Sequence, residues 1–249
     1  MLETLKTLTA IPPDEATSVF ALAANDILLR HSLIVSDQRY RILEIEFYFH
    51  TTLHADPFAH CHPVQATFGQ WYFHRVGTGY RGGTFKGIDI TFGNADAFGG
   101  ILIRTLEKDA GVICGPSLCV DQLLSASGQA TVEELDRAIA GRVVWDETSP
   151  LQLVRENQNS RHTVYKSSRV GLSTRHSQDD NARIYRDYAY RFLVKPRKIK
   201  KGRTELITSL AASGYSVEEI RSITGSPLRA IEKRVTEQTR ARSFPNYPG

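Results

Sequence analysis

Residues 39–50 of the chain read RYRILEIEFYFH, and this stretch decides the fold class. Apolar and polar side chains alternate along it, which is the pattern of a β-strand whose two faces meet different surroundings. The face predicted to pack in the core carries Leu43, Ile45, Phe47 and Phe49. The opposite face carries Glu44, Glu46 and Tyr48. Two carboxylates and a phenol are therefore predicted to share one face of a strand.

Helical and strand patterns surround this stretch. Residues 13–35 contain apolar residues at helical spacing, so a helix is expected to open the domain. Strand-like runs occur at QWYFHR (70–75), GIDITF (87–92), GILIRTLE (100–107), VVWDE (143–147) and RDYAYRFLV (186–194). Helical patterns occur at VICGPSLCVDQLLSA (112–126) and TVEELDRAIAG (131–141). Together these patterns favour a mixed fold in which helices accompany a curved sheet.

Composition places the chain among ordinary globular proteins. It has 249 residues, of which 41% are hydrophobic and 23% charged, which suffices for one main domain with a small appendage. No apolar run approaches the ~20 residues that a membrane span needs, and the first residues lack the pattern of a secretory signal. We therefore expect a cytoplasmic protein that does not enter membranes, and we expect it to act as a monomer. Three cysteines without a Cys-x-x-Cys pair argue against disulfides and thiolate zinc sites.

Positive charge is concentrated at the C-terminal end. Residues 197–242 hold 11 Lys and Arg against 5 Asp and Glu, a balance of +6, whereas the whole chain has a net charge of +4. The rest of the chain therefore carries −2. Such a segment fits a polyanionic partner, because neutralised phosphates supply affinity that does not depend on sequence. A solubilising surface fits the charge equally well.

The C-terminal segment also has the pattern of a helix-turn-helix. Ser216 and Glu219 have the spacing of a capping box, and Ser226 followed by Pro227 is a second helix start. The predicted core positions of these helices are Ile220, Ile223, Leu228, Ile231 and Val235, and the residues expected near DNA are Arg229, Lys233 and Arg234. The alternative is a helical hairpin that packs on the body. We accordingly divide the chain into residues 1–196 and a basic linker and helical module, 197–249.

A resemblance appears once the motifs are taken in order. LEIEFY (43–48) is followed by HADPFAH (54–60), GILIRTLEK (100–108), CGPSLC (114–119), VWDETSPL (144–151) and SSRVGLSTR (167–175). In this order they resemble the alkyladenine (3-methyladenine) DNA glycosylase family, over residues 41–196. The resemblance implies a single α+β domain around a curved antiparallel sheet. It also implies an enzyme without a cofactor that excises a modified base from double-stranded DNA, and residues after 196 lie outside it.

The resemblance assigns roles to individual residues. Glu46 matches the catalytic carboxylate that activates water, Arg104 the arginine beside it, Tyr48 the aromatic that stacks on the extruded base, and His60 the pocket histidine. This chemistry needs a flipped base held in a pocket and a carboxylate that deprotonates water and stabilises the sugar cation. Without the resemblance, Glu44 and Glu46 are better interpreted as two carboxylates on a solvent-facing strand.

One segment departs from the family pattern. GYRGGTFKGIDITFGN (79–94) replaces an apolar, tyrosine-rich hairpin, and it is rich in glycine. Lys86, Asp89 and Thr91, the last at about the position of the pocket asparagine, are predicted to contact the base in a roomier, more polar pocket. Phe85, and after it Tyr80, is the candidate wedge that enters the DNA. Arg81, and Ser117 at a helix start, are further candidate DNA contacts.

Several readings remain open on the sequence. The substrate is either an alkylated or deaminated purine, which means DNA repair, or a bulky hypermodified base such as a glucosylated pyrimidine of phage DNA, which means antiviral defence. A lyase route through Lys86 ranks low, and a non-catalytic helix-turn-helix regulator is the alternative from another class. Five histidines near Cys61 and Asp56 also make a zinc hydrolase conceivable: His50, His54, His60, His62 and His74. They lack standard ligand spacing, so we expect no metal.

Overall fold

The fold is known from a computed structural model, which describes residues 3–6, 8, 11–109, 111–158, 160–173 and 180–243. The first half of the chain forms α1 (Glu3–Lys6), α2 (Pro13–Arg30), β1 (His31–Val35), β2 (Gln38–His50), β3 (Phe68–Phe73), β4 (Arg75–Val76), β5 (Gly79–Tyr80), β6 (Ile88–Phe92) and β7 (Phe98–Lys108). The second half forms β8 (Gly111–Cys114), α3 (Pro116–Ser127), α4 (Val132–Ile139), β9 (Leu151–Arg155), β10 (Tyr165–Ser167), α5 (Asp180–Asp187), β11 (Arg191–Leu193), α6 (Arg203–Ala212), α7 (Val217–Thr224) and α8 (Leu228–Ser243).

A large antiparallel sheet organises these elements. Its strands run in the order β10, β11, β2, β7, β6 and β3, with β1, β8 and β9 attached at its margins. The long strand β2 pairs with β7 along one edge, and with β1 and then β11 along the other. The predicted α+β class is confirmed. Among the described residues, no helix has the length and apolar character to cross a membrane.

The core lies on the face of the sheet that α2 covers. Phe20 of α2 stacks on Phe47 with ring centroids 4.5 Å apart, and Phe49 stacks on Phe92 at 5.5 Å. All four predicted core residues of β2 are fully buried. Burial of such aromatic side chains is worth several kilocalories per mole each, so the alternating pattern of β2 is held in place by its apolar face.

The register between β2 and β7 is irregular beside the carboxylates. Ile42 pairs with Leu106, Glu44 with Thr105 and Ile45 with Ile103, so that Leu43 and Arg104 have no direct partner across the strands. This is a β-bulge, which bends the strands and re-aims side chains next to it. Arg104 therefore lies at the irregularity and faces the carboxylates of β2.

Three predictions about elements were wrong in detail. Residues 143–147 form only a bridge from Val143 to Gln70 of β3, because the chain turns at once, with the N–H of Asp146 donating to the carbonyl of Val143. Residues 112–114 belong to β8, and the helix begins at Pro116 after Gly115, whose φ is +120°. Only Arg191–Leu193 of the run 186–194 is a strand, since α5 extends through Asp187.

The C-terminal helices α6, α7 and α8 pack on one another and on the body. The capping box at the start of α7 is formed, with Ser216 and Glu219 as predicted. Leu206, Ile207 and Leu210 of α6 join the same core as the body. The helical module is therefore docked on the body as well as folded on itself.

Two details of the last helix differ from expectation. Leu228, predicted as core, is 42% exposed because α8 begins there and turns this residue outward. Among the described residues, the buried hydroxyl of Ser226 has no hydrogen-bond partner, so it does not cap α8. Ile220 and Ile231 are fully buried, and Ile223 and Val235 pack against them in part.

Candidate functional site

Glu46 is buried on the sheet face opposite α2, with both carboxylate oxygens hydrogen-bonded. The Arg104 guanidinium donates to Oε2 through Nη1 at 3.0 Å, and the Tyr48 hydroxyl donates to the same oxygen at 2.9 Å. The backbone N–H of Val170 donates to Oε1 at 2.7 Å. The side chain is fully inaccessible to solvent. The interpretation of Glu46 as a solvent-facing carboxylate is thereby excluded.

Arg104 links the two carboxylates of β2. Its Nε donates to Oε1 of Glu44 at 3.2 Å while its Nη1 binds Glu46. Burial alone lowers the pKa of this guanidinium, but the charges of Glu46 and then Glu44 outweigh burial and leave the pKa raised. Arg104 is therefore a permanent cation beside Glu46.

Glu44 has a structural environment of its own. Its Oε1 also accepts from Nε of Arg191 at 2.7 Å, and its Oε2 accepts from the Thr105 hydroxyl. Arg191 is fully buried and donates further to the carbonyls of Lys201 (3.1 Å) and Gly202 (2.7 Å). Buried charges need such complete pairing, because an unpaired one costs several kilocalories per mole. Glu44 thus connects the carboxylate site to the chain that enters α6.

Tyr48 presents its ring beside Glu46. The Arg169 guanidinium lies over the ring, with Cζ 4.5 Å from the centroid, and pairs with Asp56 through two hydrogen bonds of 2.6 and 3.1 Å. Burial and, after it, the charge of Glu46 raise the pKa of the Tyr48 hydroxyl. The hydroxyl consequently remains a hydrogen-bond donor to Glu46, and one face of the ring is occupied by a cation.

A cavity of about 130 Å³ opens beside Tyr48. Its lining residues are Tyr48, Phe58, His60, Gln65, His74, Asp89 and Leu172. Tyr48, Phe58 and Leu172 form an apolar side, and the other four residues form a polar side. Such a cavity suits a flat, partly polar ligand, because aromatic faces bind rings while polar groups fix their orientation.

Hydrogen bonds order the polar side of the cavity. The buried Asp89 carboxylate accepts from Nε2 of His74 at 2.8 Å and from Nε2 of Gln65 at 3.0 Å. His60 lies with its ring 4.3 Å from that of His74 and its Nδ1 3.3 Å from the Tyr72 hydroxyl. Burial, and then the charge of His74, lower the pKa of His60 to about 4. His60 is therefore neutral at pH 7.

Comparison with known proteins relates the chain to an uncharacterized viral protein. It matches no model of a known protein family. It is 32% identical over 199 residues to an uncharacterized protein of Acanthamoeba polyphaga mimivirus, an alignment that covers 70% of this chain and 85% of the viral protein. The chain belongs to the family of this mimivirus protein. No activity is assigned to that relative, so the chemistry of this family member is argued from its own residues.

Five of the residues predicted for the site come together. Glu46, Arg104 and Tyr48 are in hydrogen-bond contact, and Tyr48, His60 and Asp89 line the cavity. Thr91 lies on the same sheet face, but its hydroxyl accepts from the backbone N–H of Gln70 and it is not among the lining residues. Lys86 pairs with Asp121 of α3 at the surface and borders a separate groove.

The segment between β4 and β6 carries the other predicted DNA contacts. Phe85 is 71% exposed, as an intercalating wedge requires. Tyr80 is held instead, because its hydroxyl donates to Asp136 at 2.6 Å and accepts from Arg75 at 2.8 Å. Ser117 donates to the carbonyl of Gly83 at 2.7 Å, which anchors this segment to the start of α3. Arg81 donates to a backbone carbonyl and borders the same groove as Lys86.

The glycines of this segment do not enlarge the cavity, since none of them is among its lining residues. A side chain at Gly79, Gly82 or Gly83 would meet almost no neighbouring atoms, so these glycines lie at open positions. At Gly87, by contrast, a Cβ would lie 2.5 Å from the His74 ring. The glycine allows His74 to approach its backbone, and the polarity of the cavity comes from Asp89 and its partners.

The three cationic residues predicted to contact DNA lie on α8. Arg229 and Lys233 of α8 are exposed, whereas Arg234 pairs with Glu237 at 2.7 Å.

Within the described ranges, no group of three His, Cys, Asp or Glu residues is arranged to hold a metal ion. Cys61, Cys114 and Cys119 are all free thiols.

Sequence reasoning missed several residues of the site. Gln65, Phe58 and Leu172 line the cavity from loops and a short 3-10 helix, where no periodic pattern marks them. Nothing local in the last motif marks Arg169 as the residue that covers Tyr48, and the sequence marks His74 only as one of a group of histidines. Alternation along residues 70–75 puts His74 on the face opposite the core residues Trp71 and Phe73, which is the one signal in the sequence for its place in the cavity.

Proposed function

We propose that this protein is a DNA glycosylase that hydrolyses the N-glycosidic bond of a flipped, modified base. The observation that carries the proposal is the Glu46–Arg104 pair, buried beside an aromatic residue that lines a cavity. A carboxylate held by a guanidinium and bound to the tyrosine of a ring-sized cavity suits the activation of one water molecule against a bound sugar.

The proposed reaction follows from these contacts. The extruded base stacks on the free face of Tyr48, since Arg169 covers the other face. Glu46 accepts a proton from water as the water oxygen bonds to C1′. The C1′–N bond breaks, and the base departs with the bonding electrons and takes a proton from solvent, while Glu46 returns its proton to solvent. The negative charge of Glu46 also stabilises the positive charge that develops on the sugar in the transition state.

Two exposed features support double-stranded DNA as the partner. Phe85 is a large apolar side chain at a loop tip, a position from which it can fill the space that a flipped base leaves. Arg229 and Lys233 lie on one exposed side of α8, four residues apart and thus one helical turn from each other. Contacts of Arg229 and Lys233 with DNA phosphates would account for the basic C-terminal segment.

The substrate is proposed from two classes, each with its biological role. An alkylated or deaminated purine would make the protein a repair enzyme. A hypermodified base of phage DNA would make it a defence enzyme. The polar side of the cavity favours a base with hydrogen-bonding groups in either class, whereas the positions of the glycines do not argue for a larger base.

Incubation of the purified protein with a panel of modified duplexes tests the proposal. The panel includes 3-methyladenine, hypoxanthine and glucosylated 5-hydroxymethylcytosine, and mass spectrometry identifies any released base. We expect release of at least one base and an abasic site that alkali cleaves. Tight DNA binding without any release across the panel would favour a non-catalytic DNA-binding regulator instead.

A further inference from the structure

The carboxylates of Glu46 and Asp89 lie on one face of the sheet, at a separation that the strand pairing fixes. Glu46 of β2 pairs directly with Leu102 of β7, and Leu102 pairs with Asp89 of β6. Directly paired residues in a sheet point to the same face, and neighbouring strands are ~4.8 Å apart. Glu46 and Asp89 are therefore on one face, with backbones ~10 Å apart. Glu46 is hydrogen-bonded to Tyr48 of the cavity, and Asp89 lines the cavity two strands away.

Gly100, which has no side chain, leaves room for the Asp89 carboxylate beside the cavity. Tyr48 pairs with Gly100 of β7, which has no side chain to fill the space beside the ring. A Cβ at Gly100 would lie 2.6 Å from Oδ2 of Asp89 and 2.6 Å from Nε2 of Gln65. Any other residue at position 100 would displace this pair. The close approach therefore places the Gln65–Asp89 pair next to the ring on which the base is proposed to stack.

The Gln65–Asp89 pair has a donor hydrogen and acceptor lone pairs that no contact among the described residues uses. Each residue is only 2% exposed, and both line the cavity. Oε1 of Gln65 accepts from the backbone N–H of His62 at 3.3 Å, which sets the amide so that Nε2 faces Asp89. One hydrogen of Nε2 bonds Asp89, and among the contacts of the described residues the second has no acceptor. Each Asp89 oxygen accepts one bond and has a second lone pair. The pair thus offers a donor beside an acceptor.

We propose that Gln65 and Asp89 read the edge of the flipped base, and that the substrate has an unblocked edge with an N–H donor beside an acceptor. This inference rests on the proposed glycosylase function and specifies its substrate class. Such an edge is the amidine or lactam edge of a purine or pyrimidine, so the modification lies elsewhere on the base. A base whose edge is closed by an etheno ring has no N–H there, so it cannot donate to the unused lone pairs of Asp89.

Matched substrates test the inference on the wild-type chain. Single-turnover release is measured for hypoxanthine against 1,N6-ethenoadenine, and for 5-hydroxymethylcytosine against 3,N4-ethenocytosine, in otherwise identical duplexes. A paired hydrogen-bond contact to a base edge discriminates by about 5- to 150-fold. We expect the unblocked member of at least one pair to be released faster by a factor in this range.

Variants assign that preference to the proposed residues. Asp89→Asn should slow release of the unblocked base and leave the blocked base unchanged, so that their ratio falls towards 1. Asp121→Asn is the matched control, because Asp121 is 45% exposed and contacts Lys86 outside the cavity. It should keep the wild-type ratio. If Asp89→Asn fails to fold, as a thermal melt would reveal, the wild-type ratio decides alone.

The outcomes separate this inference from the proposed function. No release of any base by the wild-type protein overturns both. Release of etheno bases as fast as their unblocked counterparts overturns the edge-reading role and leaves the glycosylase proposal standing. A wild-type preference that Asp89→Asn leaves intact also overturns the assignment to this pair, because the discrimination then arises elsewhere in the cavity.

Discussion

Gly202 packs against Arg191 so closely that a Cβ on the glycine would lie 2.7 Å from Cζ of the guanidinium. Its carbonyl accepts from Nη1 of the same arginine at 2.7 Å. The glycine also abuts the side chain of Val170, whose N–H binds Glu46, while Arg191 binds Glu44. The chain entering α6 therefore packs against Val170 and Arg191, the two residues that bind the buried carboxylates from this side.

Substitution of Gly202 should destabilise the protein through this contact. In Gly202→Ala, the backbone keeps a φ of +71° and the new methyl group displaces Arg191 or Val170. Gly214→Ala is the matched control, since Gly214 has a φ of +87° but open space around it. Both variants carry the same type of backbone strain, so we expect Gly202→Ala to lose ~1–3 kcal/mol more in urea unfolding, as overpacking does. Equal losses would contradict the close packing at Gly202.

The proposed catalytic role of Glu46 predicts a large kinetic effect. Glu46→Gln keeps the size of the side chain but cannot take a proton from water. Base release should fall ~10²- to 10⁴-fold while DNA affinity stays within the wild-type range. Single-turnover kinetics and a binding titration on the same duplex measure the two quantities.

Glu44→Gln is the informative companion variant. Glu44 shares Arg104 with Glu46, but its other partners are Arg191 and Thr105, whereas Glu46 is bound by Tyr48 of the cavity. Its loss should lower the unfolding free energy, because Arg191 and Arg104 then lose a buried anion. Base release should be affected much less than in Glu46→Gln. A wild-type rate in Glu46→Gln, or equal rates in the two variants, would contradict the assignment of Glu46 as the base.

His60 predicts a pH dependence of stability. Its pKa is about 4 in the folded protein and ~6.5 in an unfolded chain. Between these values the unfolded state binds a proton that the folded state does not, so stability falls as the pH drops from 6.5 towards 4. In His60→Asn this contribution is absent. Urea unfolding should show a smaller loss of stability between pH 7.5 and pH 5 than in the wild type, and an undiminished loss would contradict the buried, neutral His60.

The exposed cations of α8 predict a change in salt dependence. If Arg229 and Lys233 each contact a phosphate, the double variant with glutamine at both positions should reduce the log–log salt slope of DNA binding by ~1.8. Arg39→Gln is the control, because Arg39 is exposed at the other end of β2 from Tyr48. An unchanged slope in the double variant would mean that the helical module only packs on the body.

Parts of this site could be predicted because they depend on local periodicity. Alternation along β2 fixes which residues share a face, and the spacing of Ser216 and Glu219 fixes a helix start, since both are backbone geometries of a few residues. The same alternation put Thr91 and Asp89 on one face. It could not show that the Thr91 hydroxyl accepts a hydrogen bond from a backbone N–H of β3, because that contact depends on how the two strands are paired.

The amino-acid sequence by itself determined the antiparallel α+β class, the faces of β2 and the residue types that carry the proposed chemistry. Only the tertiary structure decided that the second face of β2 is buried, that Arg191 joins Arg104 in pairing with Glu44, and that Gln65, His74 and Asp89 meet in one cavity. The physical reason is that burial and charge pairing arise between segments far apart in the chain. Arg191 and Glu44 are separated by 147 positions, and no local pattern specifies such a contact.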